Sequence, residues 1–191
     1  MLKQQFCSSP ANELISSVNA LAVMPLTNQC EPFGNGLIAT GLEGAVENAG
    51  NELWSIEGEV SRGQTGKCFW SKTDDVICVA HWLTKDECED IEQQTPAAYS
   101  SILNVLKAQS FVHPFRFWNY LPSINVGEGD NELYKKFCTG RLNAFEAAGM
   151  PPQSFRSASA LGHHTDGAVF YVFASKVEPR HYNNHHQVNA Y

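Results

Sequence analysis

The stretch Phe111-Val112-His113-Pro114-Phe115-Arg116-Phe117-Trp118-Asn119-Tyr120-Leu121 decides the fold. It is dense in aromatic and β-favouring residues and is bounded by Ser110 and Pro122, which predicts a buried strand rather than a helix. His113-Pro114 falls at the start of that strand, where a missing N–H costs no interior ladder bond. Alternation then sends Arg116, Trp118 and Tyr120 to one face and Phe117 and Asn119 to the other.

On the N-terminal side, Thr95 suits an N-cap and Pro96 a first helical position, while Tyr99, Ile102 and Leu106 fall on one face, so a helix is predicted there. The acidic run Asp86 to Glu92 reads as a turn leading into it. Further back, Trp54, Ile56, Gly58 and Val60 alternate with polar partners, and Cys68 to Trp70 and Val76 to Trp82 flank the turn-like Lys72-Thr73-Asp74-Asp75. These read as strands in a meander.

On the C-terminal side, a second helix is expected from about Asp130, with Leu133, Phe137 and Ala144 as its apolar face and Gly149-Met150-Pro151 ending it. Phe155 to Leu161 and Ala168 to Ala174 read as strands around the turn signal Thr165-Asp166-Gly167. The order predicts an α+β fold in which two helices pack on one face of a mixed sheet. That domain is expected over residues 52–191. Residues 1–51 read as an extension, irregular with short strands such as Gly36 to Thr40.

Composition narrows the function classes. The chain has 191 residues, 43% of them hydrophobic and 17% charged, which suits a folded domain. A net charge of -7, with thirteen Lys and Arg and no basic run, argues against nucleic acid as a partner. An anionic small molecule is still accommodated if a few arginines are concentrated in a cleft. The six cysteines form no C-x-x-C pair and read as mostly reduced thiols. The apolar run Ala20 to Met24 is too short for a signal segment, and no stretch is long enough to span a membrane. The cytoplasm is the expected compartment.

The informative motif runs Arg116-Phe117-Trp118-Asn119-Tyr120-Leu121-Pro122-Ser123-Ile124-Asn125, then Tyr134, Phe137, Gly140, Arg141, Ala144 and Phe145. In this spacing it resembles the chorismatases, enzymes that remove the enolpyruvyl side chain of chorismate. Weaker similarity continues through Tyr99, Ala158 to Gly162 and Gln187 to Tyr191, so the match spans roughly residues 52–191. The resemblance implies a RidA/YjgF-like fold, a trimer-like oligomer, no cofactor and a small dicarboxylate, chorismate or an analogue, as ligand. It covers only the N-terminal part of that family, so three expectations stand: a fragment of a longer enzyme, a naturally short member that binds without turning over, or one that builds its site across subunits. At the last motif His186 stands where the family usually has arginine.

Physical chemistry supports the ligand class independently. A flat dianion needs guanidinium forks, hydroxyl donors and an aromatic wall, and this motif contains all three. Tyr134 and Arg141, seven residues apart, lie on nearly the same face of the second helix. Arg141 is therefore expected to pair with a carboxylate and Tyr134 to donate beside it, with Arg116, Asn119 and Tyr120 contributing. Each residue also has a plainer reading. Phe117 and Trp118 suit a core, Arg116 a structural fork, and Asn119 and Asn125 a turn.

Breaking an enolpyruvyl ether requires an acid to protonate its methylene carbon. Glu128, Glu132, Glu146 and Glu178 are available, none at a recognisable catalytic position. Three readings therefore stand: a chorismate-cleaving enzyme, a non-catalytic relative binding an aromatic carboxylate or a partner, and a RidA-like imine hydrolase or scaffold. His181 and His185 sit in an Asn-rich loop context, so no metal site is expected.

Overall fold

A computed structural model of the chain describes residues 1–17, 19–43, 50–150 and 157–180. Two sheets pack face to face, and helices cover the outer face of each. The larger sheet has the strand order β10-β9-β11-β8-β7-β6. Its strands are β6 (Ser61–Thr65), β7 (Cys68–Lys72), β8 (Val76–Leu83), β9 (His113–Pro122), β10 (Ala158–His163) and β11 (Ala168–Ser175). Neighbours are antiparallel except β10 and β9, which run parallel. The stretch that decides the fold is β9.

Helices α3 (Ile91–Ala108) and α4 (Leu133–Ala147) lie on one face of this sheet. Tyr99, Ile102 and Leu106 of α3 and Phe137, Ala144 and Phe145 of α4 join Ile77, Val79, Phe117, Phe170 and Val172 in one buried cluster. The short helix α2 (Lys85–Cys88) precedes α3 and carries a capping box, with Thr84 and Glu87 satisfying each other's backbone N–H groups. The expected acidic turn is thus a helical turn. The long helix starts at Ile91, four residues before Thr95, and Thr95 Oγ1 donates to the Ile91 carbonyl at 2.6 Å.

The predicted pair of helices on one face of a mixed sheet is therefore present, but the single sheet is not. The smaller sheet has the order β1-β5-β2-β4-β3 and is built from β1 (Lys3–Cys7), β2 (Ala20–Pro25), β3 (Cys30–Gly34), β4 (Leu37–Thr40) and β5 (Asn51–Ser55). The segment read as an irregular lead-in thus supplies four strands and helix α1 (Ala11–Ile15). Short strands with polar edges carry little periodic signal, and β1 is exposed along most of its length.

Ala20 to Met24 is a central strand buried on both faces. Leu21, Ala22 and Met24 meet the larger sheet, and Val23 meets the α1 side. The alternation from Trp54 to Val60 does not continue as one strand. β5 ends at Ser55, and Gly58, at φ +114°, turns the chain into the larger sheet.

The two C-terminal strands are also not hairpin neighbours. β11 inserts between β9 and β8, and β10 lies on the far side of β9. The expected residues Phe155 to Ser157 precede β10, of which 155 and 156 lie outside the described residues, as does Pro151 after the second helix. No helix among the described residues is long and apolar enough to cross a membrane.

Candidate functional site

β9 divides the predicted site residues between its two faces. On the helix-covered face Asn119 is buried at 1% exposure. Its Oδ1 accepts from the Tyr99 hydroxyl at 2.6 Å, and its Nδ2 donates to the Ser159 carbonyl at 2.9 Å. Tyr99 stacks on Phe117 at 5.8 Å and meets Phe145 edge-on at 5.5 Å. Burial pushes the Tyr99 phenol up to about 12, against the opposing pull of the Arg141 charge and of its hydrogen bonding with Arg141 and Asn119. It stays a neutral donor at physiological pH.

α4 lays Arg141 against this aromatic wall. The guanidinium carbon is 4.8 Å from the Phe145 ring centre and 5.8 Å from that of Phe117. Nε and Nη2 are buried and have no hydrogen-bond partner among the described residues. Two nitrogens of a half-buried guanidinium thus lie against ring faces with no hydrogen-bond partner among the described residues.

Arg116 and Tyr120 face the other way, between the sheets. Arg116 Nη2 donates to Ser159 Oγ at 2.5 Å, and its guanidinium sits 5.0 Å from the centre of Trp118. Trp118 stacks on Tyr171 at 4.9 Å and meets Trp54 edge-on at 5.6 Å. Tyr120 is buried and stacks on Tyr171 at 5.9 Å, and burial pushes its phenol up. The side chain thus ties β9 to β10 and lies over an indole. Glu52 faces the same intersheet side, where its Oε1 accepts from Trp54 Nε1 at 2.9 Å and Gln4 Nε2 at 2.6 Å.

Tyr134 lies in the first turn of α4, 41% exposed and stacked on Phe137 at 6.4 Å. The fold thus brings Arg141 and Asn119 together through Tyr99 and leaves Tyr134 two turns up the helix. The sheet separates all three from Arg116 and Tyr120. Tyr99 was legible as a core residue of its helix but not as part of the site. Ser159 carried no signal, because its place beside both arms of β9 depends on the parallel pairing of β10. Glu128, Glu146 and Glu178 are exposed and Glu132 half-buried, and none pairs with Arg141 among the described residues.

Two cavities lined by described residues lie elsewhere. One of about 370 Å³ flanks the β7–β8 turn and includes Lys72, Asp75 and Lys176. The other, about 410 Å³, lies between the end of β10 and the Gly41–Glu43 segment. The histidines His181, His185 and His186 fall outside the described residues.

Residues 52–174 match the sequence profile of the family described as Chorismatase FkbO/Hyg5-like, N-terminal. A chorismatase from Streptomyces rapamycinicus is 28% identical over 130 residues, which cover 68% of this chain and 38% of the relative. A 3-hydroxybenzoate synthase from Streptomyces hygroscopicus is 33% identical over 101 residues, covering 52% of this chain and 30% of the relative. The crystal structure of a chorismatase superposes with a TM-score of 0.77 at 21% identity, over 94% of this chain and 54% of that one. At that identity the superposition shows a shared fold. The chain spans well under half the length of the curated relatives it matches.

Proposed function

This chain belongs to the Chorismatase FkbO/Hyg5-like N-terminal family, and on that premise we propose that it acts on or binds chorismate. The reaction would release the enolpyruvyl group as pyruvate and leave a dihydroxycyclohexadiene carboxylate or a hydroxybenzoate. The observation that carries this reading is Arg141, whose Nε and Nη2 are buried without a partner against Phe117 and Phe145. A planar ring bearing carboxylates complements a guanidinium set on ring faces, with one carboxylate on the fork and the ring against the aromatic wall. Asn119 and Tyr99 fix that wall, and Tyr134 would donate from the mouth of the site. Arg116 and Tyr120 would act through the strand rather than at the ligand.

One observation favours a second reading, binding without turnover. The carboxylates Glu128, Glu132, Glu146 and Glu178 are exposed or half-buried, whereas ether cleavage needs an acid aimed at the methylene carbon in a site closed to water. The larger sheet with α3 and α4 on one face also supports reading this unit as RidA/YjgF-like. Incubation of the full chain with chorismate, assayed for pyruvate, separates the two readings. Pyruvate formation lost in Arg141→Ala supports the enzyme. Saturable chorismate binding without pyruvate, again lost in Arg141→Ala, supports the binder. Absence of both pyruvate and binding would sink the chorismate reading altogether.

A further inference from the structure

The ring and the hydroxyl of Tyr99 serve different partners. The ring is packed among Phe117, Phe145 and Phe170, at centre-to-centre distances of 5.8, 5.5 and 5.6 Å. The hydroxyl belongs to a chain of hydrogen bonds whose direction is set at its far end by the backbone of β10. The Ser159 carbonyl can only accept, so Asn119 presents Nδ2 to it, at 2.9 Å. Oδ1 of Asn119 is thereby turned to Tyr99, at 2.6 Å, and takes the phenol proton. The phenol oxygen keeps only lone pairs for its other neighbour, Arg141, with which it is also hydrogen-bonded. A guanidinium carries donors alone, so Arg141 donates there.

Nε and Nη2 of Arg141 have no partner among the described residues, which leaves Nη1 as the arm that meets the phenol oxygen. This division has chemical meaning. Nε–H and the adjacent Nη2–H are parallel and form the side edge of the fork, where a carboxylate accepts two N–H···O bonds at once. The ring faces of Phe145 and Phe117, 4.8 and 5.8 Å from the guanidinium carbon, support the group from the side. Ring faces do not choose which edge points outward. A directional bond to Nη1 does.

We propose, on the premise that Arg141 receives a carboxylate, that Tyr99 is its positioning residue. Anchored through Asn119 to the Ser159 backbone, the Tyr99 hydroxyl holds Nη1 so that the Nε–Nη2 edge is preset for side-on, two-point binding of a carboxylate carried on a planar ring. Tyr99 does not itself touch the ligand. It acts by fixing the fork in advance, so that less side-chain freedom is lost when the carboxylate arrives. Asn119 is the link that passes the orientation of β10 to α4, across the aromatic layer between them.

Nitrogen NMR of the full chain, with benzoate as the probe, reads the tether and the ligand separately. The guanidinium signals of Arg141 are identified by their disappearance in Arg141→Met. In the unaltered chain Nη1 and Nη2 should give separate signals, because an anchored guanidinium turns slowly about its Nε–Cζ bond. Benzoate should shift Nε–H and Nη2–H and leave Nη1 nearly still. Tyr99→Phe keeps the ring and removes only the hydroxyl, so there the two Nη signals should merge and benzoate affinity should fall about tenfold. Separate signals in Tyr99→Phe, or an unchanged affinity, would overturn the positioning role. Merged Nη signals in the unaltered chain would overturn it without any variant, so the test holds even if Tyr99→Phe does not fold. Separate Nη signals that benzoate fails to shift would sink the carboxylate reading of Arg141 instead, and this role of Tyr99 with it.

Discussion

Two arginines from one motif have opposite environments, and substitution should separate them. Arg116 is satisfied by Ser159 and stacked on Trp118. Arg116→Ala should lower stability by about 1–2 kcal/mol in urea unfolding, because a charge-assisted bond and a ring contact are both lost. Arg141 pays for burial without a counter-charge among the described residues. Arg141→Met keeps the contact with Phe145 and removes the desolvated charge, so stability should stay level or rise by about 1 kcal/mol while binding of a chorismate analogue disappears. A stability loss in Arg141→Met as large as that in Arg116→Ala would show the guanidinium to be structural. The thiols divide in the same way. Burial pushes Cys30, Cys68 and Cys88 up to about 12 and Cys78 further still, while Cys7 and Cys138 are half-buried. A thiol reagent should therefore modify Cys7 and Cys138 quickly in the native chain, and all six cysteines only after denaturation.

Much of the family motif encodes how elements pack. Pro96 lies within α3 and has no N–H to give the Glu92 carbonyl one turn back. At that point α4 crosses, and Gly140 comes so close that a methyl on it would land 2.5 Å from the Glu92 oxygen and 2.9 Å from Thr95 Cβ. Glycine is required because the two helix backbones approach directly over an orphan carbonyl. Gly140→Ala should therefore cost about 1–3 kcal/mol even though alanine favours helix, and the loss should appear as a lower urea midpoint. Phe137, Ala144 and Phe145 bury the face that Gly140 brings in, and Ile124 packs on Gly162 of β10. Only Arg141 and Tyr134 of the helical half of the motif are left for chemistry.

At the scale of the whole molecule, the burial of His81 couples stability to pH. Buried in β8 beneath the Lys67–Glu87 ion pair, it is pushed down to about 4, chiefly by burial and then by the Lys67 charge, with Glu87 pulling weakly the other way. Between pH 6.5 and about 4 the unfolded chain binds a proton that the folded chain refuses. Stability is thus full above pH 6.5 and declines as the pH falls toward 4, by an amount on the order of 3 kcal/mol. Urea unfolding at pH 7.5 and 4.5 measures this slope, and His81→Gln should flatten it. An unchanged slope in that variant would place the acid sensitivity in other groups. At this scale the division between what the sequence determined and what tertiary structure decided is clear. β9, the β7–β8 hairpin and the two long helices were legible because their ring-rich and 3.6-residue patterns are local and strong. The spacing from Arg116 to Arg141 was enough to indicate the family. The second sheet was not legible, since its short strands gain their order from pairing partners distant in sequence, as β1 does from β5. Nor was the parting of Arg116 and Tyr120 from Arg141. Alternation puts neighbours on opposite faces of a strand, but only packing decides that one face meets helices, where Nε and Nη2 of Arg141 have no partner among the described residues, and the other meets a second sheet.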